Sequence, residues 1–267
     1  MSAPAPSPTS PCYGEPPQAP TTDILGLKVS RVTRAETREL LHRFLQSRKP
    51  HLVVTADAAA HVLASQDPEL LEIINHAALC TPDGTGLIWA SRFLKTPLPE
   101  RVSGVDLAEM LCADSARMGF GIYFYGAAPG VAEEAAEAMR RRYPGTWIVG
   151  VSHGFQRTPE EQAAVVRDIQ EKQPDVLLVA LGMPRQEKWI VRHMAELQTP
   201  LAMGVGGSFD VFSGRVNRAP EWMQKRGLEW LYRLMQDPSK YAKVANLPRF
   251  AWRVLQRRRI GPGPADR

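Results

Sequence analysis

Apolar strand segments alternate with helical segments from residue 122 to residue 204 of the chain. The predicted strands are 122–125, 147–151, 176–181 and 201–204, and the predicted helices between them are 131–143, 159–172 and 184–194. Strands that alternate with helices form right-handed βαβ units, which build a parallel sheet covered on both faces. The pattern therefore predicts an α/β fold: a Rossmann-like, mostly parallel sheet with helices on both faces.

The first half of the chain carries the same two kinds of segment. Its predicted strands are 26–30, 51–55 and 79–81, and its predicted helices are 33–46, 58–64, 68–77 and 87–93, with a further helix that ends at 118. Thr33 and Glu36 have the spacing of a capping box, in which each residue satisfies the backbone N–H of the other. The sheet is therefore expected to extend into this half.

The composition changes at both ends of this pattern. Residues 1–22 are rich in Pro, Ala, Ser and Thr and have almost no large apolar side chains, so we expect a disordered tail. The Rossmann-like domain is predicted over 23–214, a basic amphipathic helical appendage over 215–260, and a flexible tail over 261–267.

The appendage carries most of the positive charge. Residues 215–259 hold twelve Lys and Arg against three Asp and Glu, a net charge of +9. The whole chain carries +5, and Asp266 and Arg267 cancel, so residues 1–214 carry −4. Such asymmetry indicates a polyanionic partner. Basic amphipathic helices can lie on an anionic membrane surface, or their tryptophans can pack onto the domain while the charges stay solvated. Both interpretations stay open.

The cysteines and the apolar runs bear on the compartment. Cys12, Cys80 and Cys112 are far apart and show no C-x-x-C spacing, which fits reduced thiols in the cytoplasm. No apolar run approaches the roughly 20 residues that span a bilayer, and the N-terminus lacks the features of a signal peptide. A cytoplasmic protein is therefore expected.

Asp83 stands where a predicted strand ends and a helix begins. The segment LCTPDGTGLIWA, residues 79–90, has an apolar strand end, a proline, and two glycines before the next apolar run. Ligands of open α/β sheets bind beyond the carboxyl ends of the strands, so an Asp there can act as a catalytic base. It can equally cap the helix that follows. Both roles stay open from this stretch alone.

Two glycine-containing loops follow consecutive strands. Residues 182–188, GMPRQEK, open a helix, so their N–H groups and basic side chains can meet a phosphate. Residues 204–210, GVGGSFD, contain glycines that let the backbone approach a diphosphate closely. Two such loops on consecutive strands, beside Thr55 and Asp83, predict an anion site.

Several familiar catalytic signatures are absent from the sequence. It has no P-loop, no G-x-G-x-x-G after a strand and no G-x-S-x-G elbow, and none of its six histidines forms an H-E-x-x-H motif. No two Asp stand two residues apart, so the D-x-D metal site of many sugar-nucleotide enzymes is also missing. We therefore expect no metal site and no cofactor.

Five strings resemble those of the WecG/TagA/CpsF family of bacterial glycosyltransferases, over about residues 25–245. They are TPDGTGLIWA (81–90), RVSGVDL (101–107), PGVAEEAAE (129–137), LGMPRQEKWI (181–190) and GVGGSFDVFSGRVNRAPEWMQKRGLEWLYRL (204–234). The resemblance implies transfer of N-acetylmannosamine, its uronic acid or glucose from a UDP donor to an undecaprenyl-diphosphate-linked sugar. It also implies inversion of the anomeric centre without a metal.

The resemblance assigns roles to individual residues. Asp83 matches the position of the family's general base, which would deprotonate the attacking acceptor hydroxyl. Arg101 matches a position that holds charge on the diphosphate, as a metal-free reaction requires. Thr55 and Gln186 match positions near the donor.

Further site residues follow from the same resemblance. Gly206 and Gly207 would offer backbone dipoles to the diphosphate. Asp210 matches a position near the nucleoside, with a helix cap as the alternative. Arg233 matches a basic residue by which the appendage completes the site. Asp57 is a departure, because the family usually has Asn there; a carboxylate facing a phosphate is repulsive, so Asp57 points elsewhere or contacts a sugar hydroxyl.

Together these features predict an inverting, metal-independent glycosyltransferase in the synthesis of a surface polysaccharide or a teichoic-acid-type polymer. Its expected partners are a UDP-sugar, a lipid-diphosphate-linked sugar, the anionic inner face of the plasma membrane and a second copy of the chain. One rival is a basic nucleic-acid-binding module, but the tail lacks the stacking aromatics and motif it needs, so no nucleic acid is expected. Another is a nucleotide-sugar sensor without transfer activity, which the intact Asp83 argues against. A different UDP-sugar reaction on the same scaffold also stays open.

Overall fold

Six strands form the central sheet of the computed structural model, which describes residues 13–220, 222–223, 226, 228–236 and 246–260. They are β3 His51–Ala56, β4 Leu79–Pro82, β5 Ile122–Gly126, β6 Ile148–Ser152, β7 Val176–Ala180 and β8 Leu201–Gly204. Their order is β4-β3-β8-β7-β5-β6, and every pairing is parallel. The predicted α/β fold is confirmed.

Helices flank the sheet, close to their predicted bounds. Those of the domain are α1 Arg34–Ser47, α2 Ala58–Ala64, α3 Pro68–His76, α4 Thr85–Phe93, α5 Gly104–Met118, α6 Val131–Arg142, α7 Pro159–Lys172, α8 Arg185–Leu197 and α9 Ser208–Phe212. The predicted capping box is present at the start of α1, where Thr33 and Glu36 each accept the backbone N–H of the other. A helix start leaves such N–H groups without intrahelical partners, so the local sequence defines where α1 begins.

The sheet separates two hydrophobic clusters, one on each face. Phe124 of β5 stacks on Phe209 of α9 in one cluster, with 4.6 Å between ring centroids, whereas Tyr123 points into the other. Every residue of β5 and β7 is buried. This burial explains why both strands are continuous apolar runs in the sequence.

The ordered chain begins earlier than predicted. The sequence predicts disorder through residue 22, but Tyr13 stacks on His76, and the N–H of Gln18 donates to the carbonyl of Ala78 at 2.9 Å. Strand β1 Thr21–Ile24 pairs with β2 Leu27–Ser30 in a separate antiparallel sheet. The prediction was wrong for 13–22 because main-chain hydrogen bonds to distant residues need no apolar run. Residues 1–12 lie outside the described residues.

The described appendage contains helices α10 Glu229–Gln236 and α11 Asn246–Ile260. Helix α11 packs on α2 and α4 and buries Phe250 and Val254. Trp252 and Leu255 are 59% and 41% exposed. One face of α11 thus packs on the domain, while apolar side chains remain accessible elsewhere on the helix. The predicted tail at 261–267 lies outside the described residues. None of the described helices is long and apolar enough to cross a membrane.

Candidate active site

Strands β3, β4 and β8 end side by side, and Thr55 lies where they meet. Its hydroxyl is 3.5 Å from the carbonyl oxygen of Gly204 at the end of β8. Gly104, the first residue of α5, packs directly on this side chain, because a Cβ there would lie 2.9 Å from Thr55 Oγ1. A residue without a side chain therefore lets the start of α5 reach the end of β3.

Asp83 follows β4 at the same edge of the sheet. Its N–H donates to the carbonyl of Ala56 at 2.8 Å, and its Oδ2 accepts the N–H of Gly104 at 3.2 Å. Helix α4 begins after Gly84 without a side-chain cap, so Asp83 does not cap the helix that follows it. It instead contacts the first N–H of α5, and its side chain remains 27% exposed.

Arg101 joins Asp83 to the appendage. Its Nε donates to the main-chain oxygen of Asp83, and its Nη2 lies 3.4 Å from Asp83 Oδ1 and 2.7 Å from Oε2 of Glu229. Burial works against the charged guanidinium, but the two carboxylates outweigh it and raise the pKa of Arg101. Glu229 was not predicted as a site residue. Its one sequence signal is that it is among three acidic residues in a strongly basic segment.

Gln186 ties together the two glycine loops. Its Oε1 accepts the N–H groups of Gly182 and Gly206, both at 3.0 Å, and its Nε2 donates to Glu187 Oε1 at 2.8 Å. The side chain is only 4% exposed. Gln186 therefore holds the loops in place through its amide, and direct contact with a donor stays a prediction.

Glu187 follows Gln186 in α8 and is only 1% exposed. Its Oε2 has no hydrogen-bond partner within the described part of the chain. Burial raises the pKa of Glu187 to about 7, although the Gln186 amide opposes that change. Sequence reasoning missed this residue, because nothing in its neighbours along the chain indicates that it is buried.

The β8 loop leads into α9 through Gly206 and Gly207. Gly206 adopts a left-handed φ of 51°, which favours glycine. Gly207 occupies the N-cap position of α9, and Asp210 lies within the first turn of that helix. Asp210 is therefore not the residue that caps it. The predicted contacts of Gly206, Gly207 and Asp210 with a nucleoside diphosphate stay predictions.

Two predicted site residues remain. Asp57 Oδ1 accepts the N–H of Ala60 at 2.7 Å, so this oxygen caps α2. The cap explains an acidic residue at this position without a substrate, and a donor contact by Asp57 stays a prediction. Arg233 belongs to α10, but its side chain lies outside the described residues.

The assembled groups are suited to a displacement at an electrophilic centre. The partly exposed carboxylate of Asp83 can accept a proton, and the guanidinium of Arg101 beside it can stabilise negative charge. No group of three or more His, Cys, Asp or Glu side chains that could hold a metal ion occurs among the residues described above.

Comparison with known proteins gives consistent matches. Residues 22–262 match the model of the glycosyl transferase WecG/TagA/CpsF family. A Bacillus spizizenii protein named N-acetylglucosaminyldiphosphoundecaprenol N-acetyl-beta-D-mannosaminyltransferase is 34% identical over 221 residues, 83% of this chain and 85% of that protein. Staphylococcus aureus proteins of the same name are 32% identical over 240 residues, 89% of this chain and 93% of theirs. The family match includes both the domain and the appendage.

Proposed function

Since this chain belongs to the WecG/TagA/CpsF family and is a glycosyltransferase, we propose that it transfers a sugar from a UDP-sugar to a lipid-diphosphate-linked sugar. The named relatives act on N-acetylglucosaminyldiphosphoundecaprenol, which supports an acceptor of this chemical class. The product is a lengthened lipid-linked saccharide, an intermediate in the synthesis of a cell-envelope polymer. The sugar itself is left open by the proposal, because Asp57 departs from the family pattern.

The environment of Asp83 carries the proposal. Its carboxylate lies at the carboxyl edge of a parallel sheet, faces the first N–H of α5 and stays partly open to solvent. Ligands of such sheets bind at this edge. The acceptor hydroxyl gives its proton to Asp83 while its oxygen bonds to the anomeric carbon.

The leaving UDP takes the electron pair of the broken bond between the anomeric carbon and the phosphate oxygen. Arg101 and the backbone dipoles of the Gly206–Gly207 loop stabilise the negative charge that develops on the diphosphate. In this proposal no metal takes part. One displacement on the face opposite the leaving group inverts the anomeric centre. Thr55 and Asp210 contact the donor, the latter through its ribose or uracil.

The appendage supports a place at the inner face of the plasma membrane. Helix α11 presents Trp252 and Leu255 to solvent, and Arg249, Arg253 and Arg257 lie on the same helix. Apolar side chains flanked by Arg can insert between anionic headgroups while the guanidinium groups pair with phosphates. A lipid-linked acceptor would be presented at the same surface.

UDP release tests the proposed reaction. A panel of UDP-sugars, beginning with UDP-N-acetylmannosamine, is incubated with a short-chain lipid-diphosphate-sugar acceptor and EDTA. We expect release with one donor that requires acceptor, survives EDTA and falls at least about a hundredfold in Asp83→Asn. Asp168→Asn is the matched control, because Asp168 pairs with Lys172 on the outer helix α7. UDP binding without release under any condition would refute the transferase and support the sensor.

A further inference from the structure

Glu229 brings a second carboxylate to the candidate active site from the appendage. It begins α10 and is 8% exposed. Its Oε2 is 2.7 Å from Nη2 of Arg101, whereas Oδ1 of Asp83 is 3.4 Å from the same nitrogen. One guanidinium nitrogen is thus shared between two carboxylates, and the shorter contact is to the appendage.

The environment makes this sharing energetically significant. The side chains of Arg101 and Glu229 are 23% and 10% exposed, so water screens their attraction less than it screens a surface ion pair. The Nε of Arg101 is held at the main-chain oxygen of Asp83. The guanidinium is therefore anchored beside Asp83 by one nitrogen and drawn toward Glu229 by another.

This arrangement affects how readily Asp83 can accept a proton. A cation in close contact with a carboxylate stabilises its charged form and makes it a weaker base. Glu229 counters that effect in two ways. It keeps Nη2 of Arg101 at the longer distance from Asp83, and its own negative charge favours a proton on the neighbouring carboxylate.

We propose that Glu229 is a positioning residue for the transfer reaction: it holds Arg101 away from the Asp83 carboxylate, so Asp83 is an effective base only while α10 is docked. The inference rests on the proposed role of Asp83. Among the described charges, Arg218 also lies close enough to Glu229 for the two to attract each other, and Nη1 of Arg218 pairs with Oδ1 of Asp106 at 2.5 Å. Arg101 contacts both Glu229 and Asp83, so it links the two carboxylates.

The test is a carbon-13 NMR titration of the Asp83 carboxyl in the full chain without substrate, with Asp83→Asn to assign the signal. In Glu229→Gln we expect the titration midpoint to fall by about one pH unit, because a like charge is lost and Arg101 moves closer. Glu134→Gln is the control: it breaks an ion pair with the same 2.7 Å separation, Glu134 with Arg215, whose described contacts include neither Asp83 nor Arg101. In Glu134→Gln the titration midpoint of Asp83 should equal that of the unmodified protein.

Kinetics provide a second readout. In Glu229→Gln we expect kcat to fall about tenfold as the base weakens, with the donor KM within about twofold, while Glu229→Asp recovers part of the loss.

An unchanged or raised Asp83 midpoint in Glu229→Gln overturns the positioning role. If that protein fails to fold, Glu229→Asp replaces it; a smaller fall in the midpoint then supports the role, and no fall overturns it. The titration needs no turnover, so failure of the unmodified protein to transfer sugar counts against the proposed function alone.

Discussion

Replacing Glu187 with Gln should remove a pH-dependent loss of stability. Glu187 is 1% exposed, and its Oε1 accepts a hydrogen bond from Gln186. Gln has the same shape and keeps that acceptor, but it carries no titrating group. The variant therefore isolates the cost of a buried carboxylate charge from the packing of the side chain.

The pKa of Glu187 determines the sign and the size of the effect. Burial raises this pKa from 4.5 to about 7, so the folded protein holds the proton more tightly than the unfolded chain. The resulting stability is complete below pH 4.5 and is lost as the pH rises through about 7. That separation corresponds to about 3 kcal/mol, at about 1.4 kcal/mol for each pKa unit.

Urea unfolding at a series of pH values from about 4.5 to about 8 measures the effect. The unfolding free energy of Glu187→Gln minus that of the unmodified protein should increase by about 3 kcal/mol across the range. Glu133→Gln is the control, because Glu133 is the third residue of α6, as Glu187 is of α8, but is exposed. A Glu187→Gln difference as flat as that of the control would refute the reasoning.

Three further predictions concern the N-cap of α2, the start of α5 and helix α11 of the appendage. Asp57→Ala should lower the unfolding free energy by about 1 kcal/mol in urea, because α2 loses its cap, whereas Asp57→Asn should be nearly neutral. Gly104→Ala should cost about 1–3 kcal/mol in the same assay, because the new Cβ crowds Thr55. Trp252→Ala should weaken sedimentation with anionic vesicles several-fold and leave the melting temperature unchanged, since the side chain is 59% exposed; unchanged vesicle binding would contradict a membrane role for α11.

Much of the fold could be predicted because its signals are local. The alternation of strands and helices, the capping box at Thr33 and the strand end before Asp83 each depend on residues close together in the chain. The strand at 21–24 was not predicted, because it is a strand through its antiparallel pairing with β2 and its own composition gives no strand signal. The split of α11 into buried and exposed side chains likewise depends on how the helix docks against α2 and α4.

Periodicity and charge are properties of neighbouring residues, so the α/β architecture, the strand-end position of Asp83 and the basic character of the appendage could be predicted from the chain alone. Which groups meet depends on the folded structure. It paired Arg101 with Glu229 across 128 positions and directed Asp83 to the start of α5. It also placed Gln186 where its side chain accepts hydrogen bonds from the N–H groups of two separate loops. Such contacts have no local signature, since they arise when separate strand ends and helices converge at one edge of the sheet.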